Sequence, residues 1–168
     1  NMILVLLLYI HFPRATVPSI VFYNLHNCAA VHFIEADNSS YLCSNRKDST
    51  YIYMKNIAET YWKRKKMPIP HLLLSDYEGR NVWSHKGIVH WRGMNICMVT
   101  DGYWRNKSAT NLLDIDYMYL CKGYKGEIAP LQKLFHIKRI VLDASLGDYK
   151  SKAYKEECKT LGLDYIDI

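Results

Sequence analysis

One loop gathers the residue types most suited to chemistry. "LCKGYKG", Leu120 to Gly126, carries a thiol, two ammonium groups and two glycines, directly after the alternating apolar run that begins at Leu112. Lys122 and Lys125 flank Gly123, and Gly126 follows, so backbone amides and two cations are available to hold the phosphates of a DNA backbone. Tyr124, between the lysines, offers a ring on which a base could stack. A solvated basic loop has the same composition, and the spacing is not that of G-x-x-x-x-G-K-[ST], so no nucleotide-binding loop is implied. Cys121 beside Lys122 has the types of a nucleophile and its activating cation, but no histidine stands near it in sequence to serve as base. Asp101, at the end of the apolar run "NICMVT", reads either as a ligand or general base or as the cap of the "DGY" turn. Asp116, inside an apolar strand, is expected to accept backbone N–H bonds from its own loop.

The other metal- and redox-type residues form no motif. The five cysteines, Cys28, Cys43, Cys97, Cys121 and Cys158, are scattered without a C-x-x-C pair, as buried thiols are. The seven histidines include no H-x-H and no H-E-x-x-H spacing. Net charge is +6, which favours an anionic partner, nucleic acid or an acidic lipid surface, and is also compatible with plain solubility. The 14 tyrosines fit half-buried sheet faces; a base-stacking platform would need several of them exposed together.

The elements that must position these residues follow from periodicity. At 168 residues and 49% hydrophobic the chain suits one globular domain. Residues 19–25, 29–36 and 39–44 are β-branched and aromatic runs separated by short polar turns, an antiparallel meander. From Asp48 to Lys66 apolar residues recur at helical spacing with a basic last turn, and Pro68 and Pro70 end the segment. "HLLLSD" reads as one strand, and "GIVHW" with "NICMVTD" as a hairpin turning at Arg92 and Gly93. After the opening stretch come a short helix over 127–135, a buried strand over 138–145, an amphipathic helix over 148–162 with Gly162 as its C-cap, and a last strand, "LDYIDI". Strand and helix alternate in this half, which implies βαβ units and an α/β fold whose sheets are covered by helices.

Met2 to Phe12 is almost wholly apolar and lacks the basic flank and cleavage site of a secretory signal. It reads either as a buried element or as the end of a transmembrane helix, and the polar, proline-containing stretch that follows favours the second. The expected organisation is an apolar stub over 1–12, a linker over 13–18 and a single domain over 19–168.

The order of these pieces resembles the C-terminal region of ComEC-type competence proteins, membrane proteins of bacterial DNA uptake whose soluble domain has a metallo-β-lactamase-like αββα fold. "IVFYNLHNCAAVHFI" stands where the family has a strand, an acidic turn and a second strand. "NICMVTDG" resembles its apolar strand ending in T-G-D, and "LDIDYMYLCKGYKG" its strand leading into a histidine-histidine-glycine loop. "LFHIKRIVLDASLGDYKSKAYKEECKTLGLDYIDI" resembles the closing strand, helix and strand, and the texture looks most like the Bacteroides-type version. The resemblance implies an αββα sandwich of mixed sheets at the bacterial inner membrane, joined to the membrane through the preceding segment.

Departures from the hydrolase pattern are systematic. A two-metal site needs several imidazole and carboxylate ligands around ions about 3.5 to 4 Å apart. Where metal-binding relatives carry H-x-H-x-D-H, this chain has only His71, Asp76 and His85, at other spacings. Cys121, Lys122 and Gly123 replace the histidine loop, and an ammonium repels a metal ion. Asp101 alone keeps a ligand's identity. The expected function is therefore a non-catalytic, metal-free module without a cofactor, with DNA-backbone candidates Lys122, Tyr124 and Lys125. Two rivals remain: a divergent metal-dependent nuclease or phosphodiesterase acting on the non-transported DNA strand, and an unrelated α/β interaction domain.

Overall fold

A computed structural model describes residues 17–25, 28–37, 39–44, 49–73 and 76–168. The apolar stub 1–12 and most of the 13–18 linker lie outside the described residues. Strands β1 (Ser19–Phe22), β2 (Ala30–Ile34) and β3 (Ser40–Ser44) form the antiparallel meander that the sequence predicts. Helix α1 (Ser49–Arg64) then crosses over, and β4 (His71–Leu73) returns parallel to β3, closing a four-stranded sheet in the order β1-β2-β3-β4.

The second sheet has seven strands. β5 (Asp76–Glu78), β6 (Val82–His85), β7 (Ile88–Trp91) and β8 (Met94–Val99) are successive antiparallel neighbours. β9 (Leu113–Ile115) leaves this sheet to pair with a later strand, and β10 (Tyr117–Leu120) comes back parallel to β8. A 3₁₀ turn (Ala129–Lys133) and β11 (Phe135–Ile137), the partner of β9, lead to β12 (Arg139–Leu142). Helix α2 (Asp148–Leu161) carries the chain to β13 (Asp164–Asp167), and β10, β12 and β13 are all parallel. The βαβ expectation holds for β12–α2–β13, whereas the short helix expected over 127–135 is a 3₁₀ turn that gives way to β11. Gly162 ends α2 in the left-handed region (φ 67), and the N–H of Leu163 bonds back to the carbonyl of Cys158 at 2.9 Å.

Period-two alternation decides which side chains meet. Val31 and Phe33 of β2 point at the seven-stranded sheet, where Val89, Trp91, Ile96, Met98, Tyr119 and Val141 receive them. Ala30, one position before Val31, points the other way and, with Leu42 of β3, packs against Ala58 and Trp62 of α1. On the far side of the seven-stranded sheet Met118, Leu120, Ile140 and Leu142 pack against Tyr154 and Cys158 of α2 and Leu131 of the 3₁₀ turn. Three apolar layers result, and burial of a side chain such as Phe33 contributes about 1.5–3 kcal/mol. A polar contact also ties the sheets together: buried Glu35, after β2, accepts from Trp91 Nε1 at 2.7 Å and Arg92 at 2.9 Å.

Two expectations are corrected. "HLLLSD" is not one strand: His71–Leu73 belongs to the first sheet, while Asp76 opens a hairpin with β6 in the second. Helical cover is narrower than expected, because the cluster formed with α2 and the 3₁₀ turn draws on β7, β8, β10 and β12 and includes no residue of β5 or β6. The outward row beyond them carries Trp83 stacked on His90 at a 5.7 Å centroid distance, with Trp83 exposed.

Candidate functional site

Parallel register brings Val99, Leu120 and Leu142 level, so the loops after β8, β10 and β12 leave the seven-stranded sheet at one end. Open α/β sheets present binding groups at such an edge. The β6–β7 turn lies at the same end, since the N–H of Met98 bonds to the carbonyl of Gly87 at 2.7 Å.

The inner part of this end is closed by hydrogen bonds. Asp143, 2% exposed, accepts from the Tyr119 hydroxyl, from the Ser145 hydroxyl, and from the Ser145 N–H at 3.0 Å. Ser145 Oγ in turn accepts the N–H of Lys122 at 3.1 Å, which ties the β10 loop to the β12 loop. Three donors on one buried carboxyl group satisfy the rule that buried polar groups are hydrogen-bonded. Burial, then the charge of Asp143, pushes the Tyr119 phenol well above its ordinary range.

Cys121 belongs to this interior. Its side chain is fully buried, and burial first, then Asp143, pushes the thiol well above its usual range. A protonated thiol that donates to the Tyr119 carbonyl at 3.4 Å is not a nucleophile, so the Cys121–Lys122 pairing does no chemistry here. Gly123 has a structural duty: at φ 112, a Cβ on it would stand 2.3 Å from the carbonyl oxygen of Thr100. The β10 loop lies that close to the end of β8 only because the residue is glycine.

Tyr124 requires a correction. Its ring is 3% exposed, stacked parallel to Tyr154 at 6.4 Å, and its hydroxyl donates to the Glu127 carbonyl at 2.7 Å. A base has no access to it. Lys122 and Lys125 point outward from the same loop, and neither ammonium has a carboxylate partner among the described residues.

Asp101 is exposed and its Oδ1 accepts the N–H of Tyr103 at 2.8 Å, the turn-capping alternative. Asp116 serves a different backbone from the one expected: it accepts the N–H of Asn95, at the start of β8, at 2.8 Å and pairs with Lys138 at 2.6 Å. Partial burial is the largest single influence and acts upward, but Lys138 and the Asn95 N–H together hold the carboxyl below its ordinary range.

His71, Asp76 and His85 do not converge. Asp76 and His85 are cross-strand partners with Nδ1 and Oδ1 2.6 Å apart, whereas His71 packs on Tyr77, at a 4.9 Å centroid distance. Tyr77 follows Asp76 on β5 and so faces the other way. Among the described residues no group of three or more His, Cys, Asp or Glu could hold a metal ion, so those residues do not fit a dinuclear centre.

One feature of this end was not singled out from sequence. The exposed ring is Tyr103, 40% exposed, in the loop "DGYWRNKS". Its signal was an aromatic pair interleaved with Arg105 and Lys107, two of the chain's cations placed outside any helix.

Two mixed sheets packed face to face, with helices behind them and lysine-bearing strand ends, define an α/β domain. The chain belongs to the ComEC C-terminal domain family, whose model matches residues 20–168. That membership supports a ComEC-type competence role. No curated protein and no solved structure matches the chain. No helix among the described residues is long and apolar enough to cross a membrane.

Proposed function

We propose that this chain is a non-catalytic, metal-free domain of metallo-β-lactamase-like αββα type, C-terminal to a membrane channel of the bacterial inner membrane, which guides DNA during uptake. The layer order α1, four-stranded sheet, seven-stranded sheet, α2 supports the fold reading.

The observation that carries the functional reading is how the strand-end side chains are spent. Asp143 and Cys121 are consumed by the interior, Asp101 caps its own turn, and Lys122 and Lys125 stand outward without carboxylates. Cations held at a strand end suit a phosphate backbone and would oppose a divalent metal.

Binding of a fluorescent single-stranded 20-mer, followed by anisotropy across a salt series, tests this. Affinity should fall steeply with salt, and Lys122→Ala/Lys125→Ala should weaken it further and flatten the salt slope. Binding that ignores salt, or no binding, would favour the unrelated interaction domain. Stoichiometric Mn or Zn by elemental analysis, with Asp101→Ala releasing it, would favour the nuclease.

A further inference from the structure

We propose that Lys86, Lys107 and Tyr103 form a phosphodiester-binding site for single-stranded nucleic acid, separate from the Lys122–Lys125 loop. The inference rests on the nucleic-acid reading above and assigns it a second set of residues. Lys107 Nζ lies 3.2 Å from the centre of the Tyr103 ring and Lys86 Nζ lies 5.8 Å from it. The two ammonium groups are therefore within roughly 9 Å of each other, about one Debye length at physiological salt. They come from different loops, the β6–β7 turn and the loop after β8, and neither has a carboxylate partner among the described residues. Like charges gathered without a counter-charge are a cost that a bound anion removes.

The backbone under Lys86 points the same way. Lys86 (φ 47) and Gly87 (φ 80) both have positive φ, as in the tight turn for which Asn-Gly is the preferred sequence. A Cβ on Gly87 would come within 2.8 Å of the Met98 carbonyl oxygen, so the turn is pinned against β8. Arg92 (φ 49) and Gly93 (φ 78) repeat this backbone at the next turn, and there the cation is used internally, on Glu35. Lys86 has the strained position of Arg92 without a carboxylate partner among the described residues.

The ring is held rather than loose. Trp104 packs edge-on against Tyr103 at 4.7 Å and against Phe135 of the core at 5.1 Å, and Asp101 fixes the Tyr103 N–H. Hydrogen bonding to Lys107, then to Lys86, holds the Tyr103 phenol below its ordinary range, as a cationic setting should. A nucleic acid is favoured over a lipid surface because the exposed group is an aromatic ring suited to stacking. The loop 101–111 carries no aliphatic residue larger than alanine that could insert into a bilayer.

The test is anisotropy of the same single-stranded 20-mer with the full chain and its Lys86→Gln/Lys107→Gln variant, with thermal melting as a folding check. The variant should melt as the parent does and bind about 10-fold more weakly at low salt. Its salt slope should be shallower by about 1.4, the value for two lost phosphate contacts on a single strand. Lys86→Arg/Lys107→Arg should restore binding, and Tyr103→Leu should weaken it by about 5-fold or more. Unchanged affinity in the glutamine variant, with loss in Lys122→Ala/Lys125→Ala, would overturn this inference and leave the earlier reading standing. No oligonucleotide binding by the parent would remove both, and sedimentation with phosphatidylglycerol vesicles in its place would assign the cations to lipid.

Discussion

Asp143 and Tyr103 sit on two of the three loops that leave the same end of the seven-stranded sheet, and their surroundings differ in how charge is answered. Around Asp143 every group has a partner: one carboxylate meets two hydroxyls and an N–H, and Ser145 passes the connection on to Lys122. Around Tyr103 two ammonium groups share a ring and no carboxylate answers either among the described residues. A buried polar cluster must be complete because an unmatched group there costs its full desolvation. An exposed one can remain incomplete at little cost, and the missing charge can be a ligand's. The comparison separates residues that build this end of the fold from residues free to act at it.

Breaking the closed cluster should give the largest effect. Asp143→Ala leaves two hydroxyls and an N–H without their acceptor, and urea denaturation should show a loss of about 4 kcal/mol. Next is a buried group elsewhere. His32 lies on the α1 side of β2, between Tyr23 and Trp62; its Nδ1 is 2.9 Å from the Tyr23 hydroxyl, and its Nε2 has no hydrogen-bond partner among the described residues. Burial pushes its pKa down to about 4, below the 6.5 of the unfolded chain. The neutral ring's contribution is thus complete above pH 6.5 and is lost as pH falls towards 4, by about 3 kcal/mol. Denaturation at pH 7 and pH 4 should show this loss in the parent and not in His32→Gln.

Smaller effects follow as the change moves outward. Gly123→Ala forces a left-handed backbone onto an L side chain and drives its Cβ into Thr100, and should lower stability by about 2–3 kcal/mol. Tyr119→Phe removes one of the three donors to Asp143 and should cost about 1–2 kcal/mol in the same assay. Lys122→Ala/Lys125→Ala should change stability by less than about 0.5 kcal/mol while weakening oligonucleotide binding. A stability loss there as large as that of Asp143→Ala would erase the distinction between the two clusters.

Much of the fold was legible because its signals are local. Alternation in 19–44, the Arg92–Gly93 turn, the helical period after Asp48 and the Gly162 cap each depend on a few neighbouring residues. The β5–β6 hairpin was not legible: Asp76–Glu78 is three residues long, and its partner strand alternates Val82, Trp83, Ser84 and His85 without a plain apolar face. Nor did the sequence tell that Tyr124 turns inward, since that depends on Tyr154, 30 residues away. In sequence Asp101 fits either a ligand or a cap, and the Tyr103 amide decides for the cap. Lys86 lies in the turn between β6 and β7, so its convergence with Lys107 is no more legible than β6 itself.

The central claim is that this end of the domain holds DNA without cutting it. One native gel tests it: the full chain with an end-labelled single-stranded oligonucleotide in Mn²⁺ at low salt, read for both mobility and length. The account predicts a shifted, full-length band that returns to its free position as salt is raised. Shortened products that require Mn²⁺ and vanish in Asp101→Ala would contradict it.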